Sequence, residues 1–249
     1  MKDYLIFSDL DGTLLDHNDY TFDQALPALD WIKKKNIPLI LASSKTYEEM
    51  LHFQSKLTID HPFIFENGSG IHYQKKIIQF GFNLSLIHDK INSLNKEFNF
   101  NFYSKLNVEE VIKLTGLSRQ LAKASQNRLF SDPIIWLDRE DKQYEFINIV
   151  SELGFNVIKG GRFLTICSHH DKSNALKWIK NEYEKQNETS FLTIGLGDGE
   201  NDIKMIEASN IKILIKNNND HLKQSNWIFS KQTGPKGWND ELLKVLKNE

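Results

Sequence analysis

The chain has 249 residues, 40% of them apolar, so it can bury a full hydrophobic core and is near the size at which one core divides into two. Its formal charge of −2 offers no basic surface for nucleic acid and no polybasic arm for a membrane, so we expect small-molecule partners. The single cysteine excludes an internal disulfide, and no run approaches the ~18 apolar residues of a membrane span. Because residues 1–9 carry no apolar signal segment, we predict a cytoplasmic protein, whose oligomeric state the sequence leaves open.

Strands and helices alternate along the N-terminal part of the chain. Apolar runs and helical spacing predict, in chain order, a strand over 4–7, a helix over 22–35, a strand over 39–42, a helix over 46–57 and a strand over 63–65. Polar residues follow each of these strands, namely Ser8-Asp9, Ser43-Ser44-Lys45-Thr46 and Glu66-Asn67-Gly68. Strands buried on both faces have this pattern when a parallel sheet presents its functional groups at their carboxyl ends.

The middle of the chain has a different pattern from its two ends. After the middle, the alternation returns with a helix over 173–184, a strand over 191–194, a helix over 202–208 and a strand over 211–215. In the middle, helices are predicted over 84–98, 107–115, 118–127 and 140–153, with short strands over 101–103, 133–137, 155–158 and 163–167. We therefore predict an α/β fold: a doubly wound parallel-sheet, Rossmann-like core formed by 1–82 and 169–249, with an inserted α+β cap domain formed by 83–168.

The first polar cluster contains the string Asp9-Leu10-Asp11-Gly12-Thr13. Two carboxylates that stand two residues apart where a strand ends can flank one point, while Gly12 lets the backbone turn sharply. One carboxylate can act as a nucleophile that forms an aspartyl-phosphate, and the other as a general acid for the leaving oxygen. A bare pair of this kind is more often a turn, but the longer string favours chemistry.

A second acidic cluster, Gly197-Asp198-Gly199-Glu200-Asn201-Asp202, follows the predicted strand over 191–194. Taken alone, Asp198 or Asn201 would be read as the cap of the next helix. Together with the first cluster, the aspartates predict a Mg²⁺ site, because Mg²⁺ prefers oxygen ligands and keeps several waters. The predicted ligands are Asp9, the Asp11 carbonyl, Asp198 and, through a water, Asp202.

A bound phosphate also needs hydrogen-bond donors and positive charge. Ser43, at the end of the strand over 39–42, offers a hydroxyl beside backbone N–H groups. Lys172, which opens the helix after Asp171, offers a point charge. A lone serine in a loop or a lysine on a helix is usually solvated surface, so these two assignments depend on where the residues lie.

These motifs, taken in order, resemble those of the haloacid dehalogenase-like hydrolases, and the match spans nearly the whole chain. The resemblance implies that Asp9 is the nucleophile, that Asp11 is the acid and base, and that Ser43 and Lys172 hold the phosphate. It also implies that Asp198 and Asp202 are the magnesium carboxylates. Dehalogenases of the superfamily lack the second aspartate and its ion-pumping ATPases carry threonine there, so the resemblance implies phosphatase or phosphomutase chemistry.

Within that superfamily the chain resembles the mannosyl-3-phosphoglycerate phosphatases, including the larger cap of the sugar-phosphate branch. The segments that carry this resemblance are Ser43-Ser44-Lys45-Thr46, Glu66-Asn67-Gly68-Ser69-Gly70, Asn127-Arg128-Leu129-Phe130-Ser131-Asp132-Pro133, Gly160-Gly161-Arg162-Phe163 with Asp171-Lys172, and Gly234-Pro235-Lys236-Gly237-Trp238. Asp132 stands where the family usually has glutamate, and Ser173 replaces a common glycine. Trp238, which we read as lying beside a glycine-rich turn, has no assigned role.

The substrate of that family carries a phosphate, a carboxylate and a sugar. The resemblance implies that Ser44 joins the phosphate site and that further residues bind the rest of the substrate, namely Lys45, Glu66, Asn67, Arg128, Ser131 and Arg162. An arginine's planar fork suits a carboxylate, so Arg162 is the main candidate for that contact.

Several alternative functions stay open at this point. The same core would serve a phosphatase for glucosyl-3-phosphoglycerate or another sugar phosphate, or a phosphomutase. A non-catalytic phosphosugar-binding module is a different class of protein, and we rank it lower because a degenerate member would be expected to have lost a catalytic carboxylate. All four aspartates are present here.

Overall fold

The computed structural model describes residues 3–17, 19–160, 163–217 and 220–247. Its strands, β1 to β12, are Tyr4–Ser8, Leu39–Ala42, Phe63–Phe65, Gly70–Tyr73, Lys76–Gln79, Phe100–Phe102, Asp132–Trp136, Asn156–Lys159, Leu164–Cys167, Leu192–Gly197, Ile211–Lys216 and Ile228–Thr233. Its α-helices, α1 to α9, are Leu26–Lys34, Tyr47–Lys56, Leu84–Ile91, Val108–Thr115, Arg119–Gln126, Gln143–Glu152, Lys172–Asn187, Ile203–Ala208 and Gly234–Lys247. Every predicted strand and helix has a counterpart among them. Of these described helices, none is both long and apolar enough to cross a bilayer.

The chain divides into two compact units. The core unit comprises Met1–Ser43, Ile59–Ile64 and Asp171–Glu249, and the inserted unit comprises Ser44–Thr58 and Phe65–His170. The inserted unit therefore takes in residues 44–58 and 65–82, which lie outside the predicted cap. The predicted domain boundaries at 82 and 168 stay a prediction.

The core unit is a parallel sheet in the order β12-β11-β10-β1-β2-β3. From β1 the chain proceeds to β2 and β3 on one side, and β10, β11 and β12 lie on the other. In such a doubly wound sheet, the crevice at the carboxyl ends of the strands where the order reverses is the usual place for a ligand. Here that reversal falls between β1 and β10.

Burial explains why β1 lies at the centre of this sheet. Leu5, Ile6 and Phe7 are fully buried, although successive side chains point to opposite faces. Such a strand must be covered on both sides, as it is in a sheet with helices on both faces. The predicted α/β class with a doubly wound core is confirmed.

The inserted unit contains a separate antiparallel sheet in the order β6-β7-β9-β8. Side chains from this sheet pack against α3 and α6 in a cluster that includes Ile87, Phe100, Phe146 and Ile166, each at most 2% exposed. Capping boxes begin two of its helices, with Thr46 and Glu49 at α2 and Asn107 and Glu110 at α4. The mixed α+β character predicted for the middle of the chain agrees with these elements.

Two features of the fold are absent from the predicted elements. One is the hairpin of β4 and β5, whose turn residues Gln74 and Lys75 both have positive φ, as in a type I′ turn. The other is the end of the core unit, where β12 is followed directly by α9. The interpretation of 234–238 as a glycine-rich turn was wrong, because these residues form the first turn of α9 and Trp238 is fully buried.

Candidate active site

The strand order brings the two acidic clusters together. Asp9 follows β1, Asp198 follows β10, and these strands are direct neighbours whose register pairs Ser8 with Leu196. The Asp9 N–H donates to the Leu196 carbonyl at 2.9 Å, which extends the ladder past the end of β1. The carboxylates therefore lie at the point where the strand order reverses.

Lys172 joins the nucleophile candidate to the second cluster. Its Nζ donates to Asp9 Oδ1 and to Asp202 Oδ1, both at 2.6 Å, and its side chain is 1% exposed. Asp171 caps the start of α7 by accepting the N–H groups of Ser173 and Asn174. The cap fixes where α7 begins, and so the position from which Lys172 reaches the carboxylates.

The second cluster is organised by its own backbone. Asp202 Oδ2 accepts the N–H groups of Asp198 and Gly199 at 3.2 and 3.0 Å, while its Oδ1 holds Lys172. Asp198 Oδ1 accepts the Thr13 hydroxyl at 3.2 Å. Thr13 belongs to the Asp9–Thr13 string, but we had assigned it no role. Its place in the same short string, four residues after Asp9, was the sequence feature that could have indicated a role in the site.

Two glycines allow the clusters to approach each other. A Cβ at Gly12, whose φ is +76°, would lie 2.5 Å from Asp198 Oδ2. A Cβ at Gly197 would overlap the side chain of Asp202. Any larger residue at either position would push a carboxylate away from the others.

Buried negative charge dominates the electrostatics of this site. Burial, followed by the carboxylate of Asp202, raises the pKa of Asp9 well above its ordinary value, although Lys172 opposes the shift. Burial and Asp202 likewise raise the pKa of Asp198 to about 7. Burial acts to lower the pKa of Lys172, but Asp202 and Asp9 outweigh it, so the lysine stays charged.

The aspartates fit a divalent cation. Asp9, Asp198 and Asp202 each present one oxygen, and these three atoms all lie within 4.8 Å of one another. Carboxylate oxygens are the ligands that hard divalent cations take. Because the carboxylates repel one another, a bound cation would also relieve part of the charge that raises the pKa of Asp9. The structure thus contains a candidate metal site made of predicted residues.

Ser43 and Asp11 follow the neighbouring strands β2 and β1. Ser43, 1% exposed, follows β2, the other neighbour of β1, and its N–H donates to the Ile64 carbonyl at 3.0 Å. Asp11 lies two residues after Asp9 in a turn closed by a hydrogen bond from the Leu15 N–H to the Leu10 carbonyl, and its charge adds to the rise in the pKa of Asp9. Their roles as phosphate donor and as acid and base stay predictions.

In the inserted unit, Glu66 and Arg128 form a buried network with Ser131. Glu66 accepts the N–H groups of Leu129 and Phe130 at 2.7 and 3.0 Å, and the Ser131 hydroxyl at 2.7 Å. Arg128 donates to the Ser131 carbonyl and hydroxyl at 2.8 and 2.7 Å, and lies 3.8 Å from Glu66. This carboxylate and guanidinium, predicted to bind substrate, thus hold the 128–131 segment in place.

The remaining predicted substrate residues have varied surroundings. Ser44 is exposed, and its carbonyl accepts Arg128 Nη2 at 3.2 Å. Lys45 is 9% exposed, with its Nζ 5.2 Å from the centre of the Phe53 ring, and Asn67 is 4% exposed with φ +57°. Arg162 lies outside the described residues.

Asp132, noted as a departure from the family pattern, has a defined place in the inserted unit. It is fully buried, and its Oδ2 accepts the Ser104 hydroxyl at 2.5 Å and contacts His88 Nε2 at 2.7 Å. Its Oδ1 accepts the Ser104 N–H at 3.1 Å. Sequence reasoning did not connect these three residues, because they lie on separate elements with no shared spacing.

Comparison with known proteins identifies the family of this chain. A family model described as haloacid dehalogenase-like hydrolase matches residues 6–152 and 138–234. The chain is 36% identical to a glucosyl-3-phosphoglycerate/mannosyl-3-phosphoglycerate phosphatase of Persephonella marina over 97% of both chains. It is 32% identical to a protein of the same name from Methanococcoides burtonii, over 98% of this chain and 97% of that one. A solved haloacid dehalogenase-like hydrolase from Bacteroides thetaiotaomicron shares the fold, with a TM-score of 0.75, 17% identity and coverage of 98% and 100%.

The chain belongs to the haloacid dehalogenase-like hydrolases, and the predicted resemblance to mannosyl-3-phosphoglycerate phosphatases within them is confirmed. The prediction of an enzyme of the phosphatase class is confirmed with it. The roles of individual residues, the metal and the substrate are taken up as proposals below.

Replacing Gly197 by Ala should disturb the carboxylates directly. The added methyl would displace Asp202, so we expect a loss of about 1–3 kcal/mol in the free energy of unfolding. We also expect a higher concentration of divalent cation for half-maximal activity, measured by titrating Mg²⁺ in a phosphate-release assay. Gly195→Ala is the control, because its methyl would strike Ser209, at the end of α8, instead of Asp202. Equal cation requirements in the two variants would contradict the assignment.

Replacing Glu66 by Gln should destabilise the inserted unit. One carboxylate oxygen becomes an NH₂ group facing a buried donor, which should cost about 1–3 kcal/mol, measured by thermal unfolding. Glu48→Gln is the control, because Glu48 accepts one exposed hydrogen bond from Asn127 and a surface change of this kind costs less than about 0.5 kcal/mol. A Glu66→Gln protein as stable as the control would show that the network contributes nothing.

Proposed function

We propose that this protein is a Mg²⁺-dependent phosphomonoester hydrolase that works through an aspartyl-phosphate on Asp9. The observation that carries the proposal is that Lys172 forms ion pairs with both Asp9 and Asp202 in a buried site. One oxygen of Asp198 lies within 4.8 Å of an oxygen of each of these two carboxylates. A buried carboxylate beside a lysine and a candidate cation site, at the carboxyl end of a central strand, is suited to attack phosphorus.

The proposed reaction has two steps. In the first, an oxygen of Asp9 attacks phosphorus in line, the bond to the leaving oxygen breaks, and Asp11 donates a proton to that oxygen. In the second, Asp11 takes a proton from a water that attacks the aspartyl-phosphate, releasing phosphate and restoring Asp9. Lys172 opposes the rise in the pKa of Asp9 and holds its carboxylate in place, and Ser43 donates to the phosphate oxygens. Mg²⁺, when bound by Asp9, Asp198 and Asp202, would neutralise the charge of the phosphate.

The proposed substrate is mannosyl-3-phosphoglycerate, with glucosyl-3-phosphoglycerate as the alternative. Support comes from the two relatives, which match nearly the full length of the chain and carry both substrates in their names. The motifs of the inserted unit, including Glu66 and the 127–133 segment, are those that first suggested this family. The proposed partners are thus small phosphorylated sugars, and the cytoplasmic location stays a prediction from the sequence.

The substrate proposal is tested by a panel of phosphorylated metabolites. With Mg²⁺ present, kcat/KM should be highest for the two glycosyl-3-phosphoglycerates and lower for 3-phosphoglycerate and for hexose phosphates, measured as released phosphate. Asp9→Asn, which removes the nucleophile, is the control for contaminating phosphatases and should release none. A flat profile would refute the substrate while leaving the chemistry in place.

Replacing Asp11 by Asn should separate the two chemical steps. Losing a general acid and base costs about 10²–10⁴ in rate, so kcat for sugar phosphates should fall by that factor. An aryl phosphate, whose leaving group needs less protonation, should still give a burst of about one equivalent of phenol per Asp9, because the second step lacks its base. Asp30→Asn, an exposed change in the core unit, is the control. A variant that turns over normally would remove Asp11 from the mechanism.

A further inference from the structure

A buried hydrogen-bond chain lies behind the nucleophile candidate, on the side of the sheet that α9 covers. Trp238 is fully buried, and its Nε1 donates to the Ser8 hydroxyl at 3.0 Å. The Ser8 hydroxyl, also fully buried, donates to the Asp9 carbonyl at 2.7 Å. Indole nitrogen can only donate, so the direction of the whole chain is fixed: Trp238 to Ser8, and Ser8 to Asp9.

Two glycines in the first turn of α9 precede the Trp238 indole. Gly234 has a φ of +52°, and a Cβ there would lie 4.0 Å from the Gly12 carbonyl and 3.9 Å from the Leu15 carbonyl. A Cβ at Gly237 would overlap the Gln232 carbonyl in β12. The first turn of α9 therefore lies beside the loop that follows Asp11, and Trp238 enters the core from there.

The hydrogen bonds from Trp238 to Ser8 and on to Asp9 complement the backbone hydrogen bond between Asp9 and β10. The Asp9 N–H is held by the Leu196 carbonyl of β10, and the Asp9 carbonyl is held by Ser8. Both main-chain polar groups of Asp9 are thus fixed just past the end of β1. The direction of its carboxylate depends on that backbone, because an aspartate has only two side-chain torsions between its Cα and its carboxyl oxygens.

We propose that Trp238 and Ser8 are positioning residues that set the backbone of Asp9 for attack on phosphorus. Neither residue touches the substrate, and both act through the Asp9 carbonyl. The proposal rests on the proposed role of Asp9 as the nucleophile. The competing explanation is that the indole only fills the core and the serine only satisfies a buried carbonyl, in which case their loss would change stability but not turnover.

The experiment compares Trp238→Phe, which keeps an aromatic ring but removes the donor, with Ser8→Ala, which breaks the next link. For each we measure kcat and KM for p-nitrophenyl phosphate with Mg²⁺, together with thermal unfolding. We expect kcat to fall roughly 10-fold in each, less than the ~10²-fold that a 1 Å misplacement can cost, with KM little changed. The double variant should lose no more than the larger single loss, because both changes break one chain.

The matched controls are also buried and lie in the core unit. Trp227 is 6% exposed, and its Nε1 has no hydrogen-bond partner among the described residues, so Trp227→Phe makes the same substitution without breaking a chain. Ser209 is 4% exposed and donates to the Met205 carbonyl at 2.9 Å, so Ser209→Ala removes a comparable bond away from Asp9. Both controls should keep kcat, whatever they lose in stability.

The outcomes separate the two proposals. If the wild-type protein releases no nitrophenol or phosphate from any phosphomonoester, the proposed function fails. If the wild type turns over and Ser8→Ala keeps its kcat, the positioning role is refuted, even should Trp238→Phe fail to fold. The positioning role is also refuted if the control variants, at the same loss of stability, show the same fall in kcat as Trp238→Phe and Ser8→Ala. A fall confined to Ser8→Ala and Trp238→Phe supports it.

Discussion

The site depends on one ammonium group that is shared by two buried carboxylates. Lys172 lies 2.6 Å from both Asp9 and Asp202, and all three are nearly inaccessible to water. A buried carboxylate without a partner would become protonated and lose its nucleophilic character. Lys172 offsets part of this penalty by donating to two carboxylates at once, so the position of its helix, α7, constrains Asp9 after β1 and Asp202 after β10.

That constraint explains where small residues are required around the carboxylates. Gly12 and Gly197 leave room for Asp198 and Asp202, and the two clusters meet only because β1 and β10 are neighbours in register. One lysine does not balance the four aspartates that the site gathers, and burial, together with the remaining repulsion, raises the pKa of Asp9 and of Asp198. A divalent cation bound by these aspartates would supply the positive charge that the protein groups lack.

Much of the core could be predicted because buried parallel strands are distinctive. The runs 4–7, 39–42 and 63–65 are short, apolar and followed by polar residues, and each proved to be a strand at that place. Helix α9 was not predicted, because Gly234 and Pro235 are residues that usually interrupt a helix. Helices accept Pro in their first turn, however, and the residues after it, with Trp238 and Leu242 buried four apart, have helical spacing.

The inserted unit was harder to predict, because several contacts of its predicted substrate residues join segments far apart in the sequence. Nothing in the sequence around Arg128 says that its guanidinium lies against Ser131 and Ser44, or that Glu66 accepts the backbone of the same segment. The β4–β5 hairpin was not predicted, because its turn residues are Gln74 and Lys75 and not the Asn-Gly or Asp-Gly pair typical of such turns.

The two units satisfy their buried charges in opposite ways, and this difference indicates where chemistry belongs. Glu66 adopts a left-handed φ of +48°, unusual for a non-glycine residue, yet its carboxylate accepts three hydrogen bonds and has Arg128 close by. The protein itself thus supplies the hydrogen-bond donors and the positive charge for the Glu66 carboxylate. Asp9 and Asp202 instead share a single lysine and face further carboxylates. The buried carboxylates of the core unit are thus only partly compensated by protein groups, and such imbalances are found where a ligand completes a site.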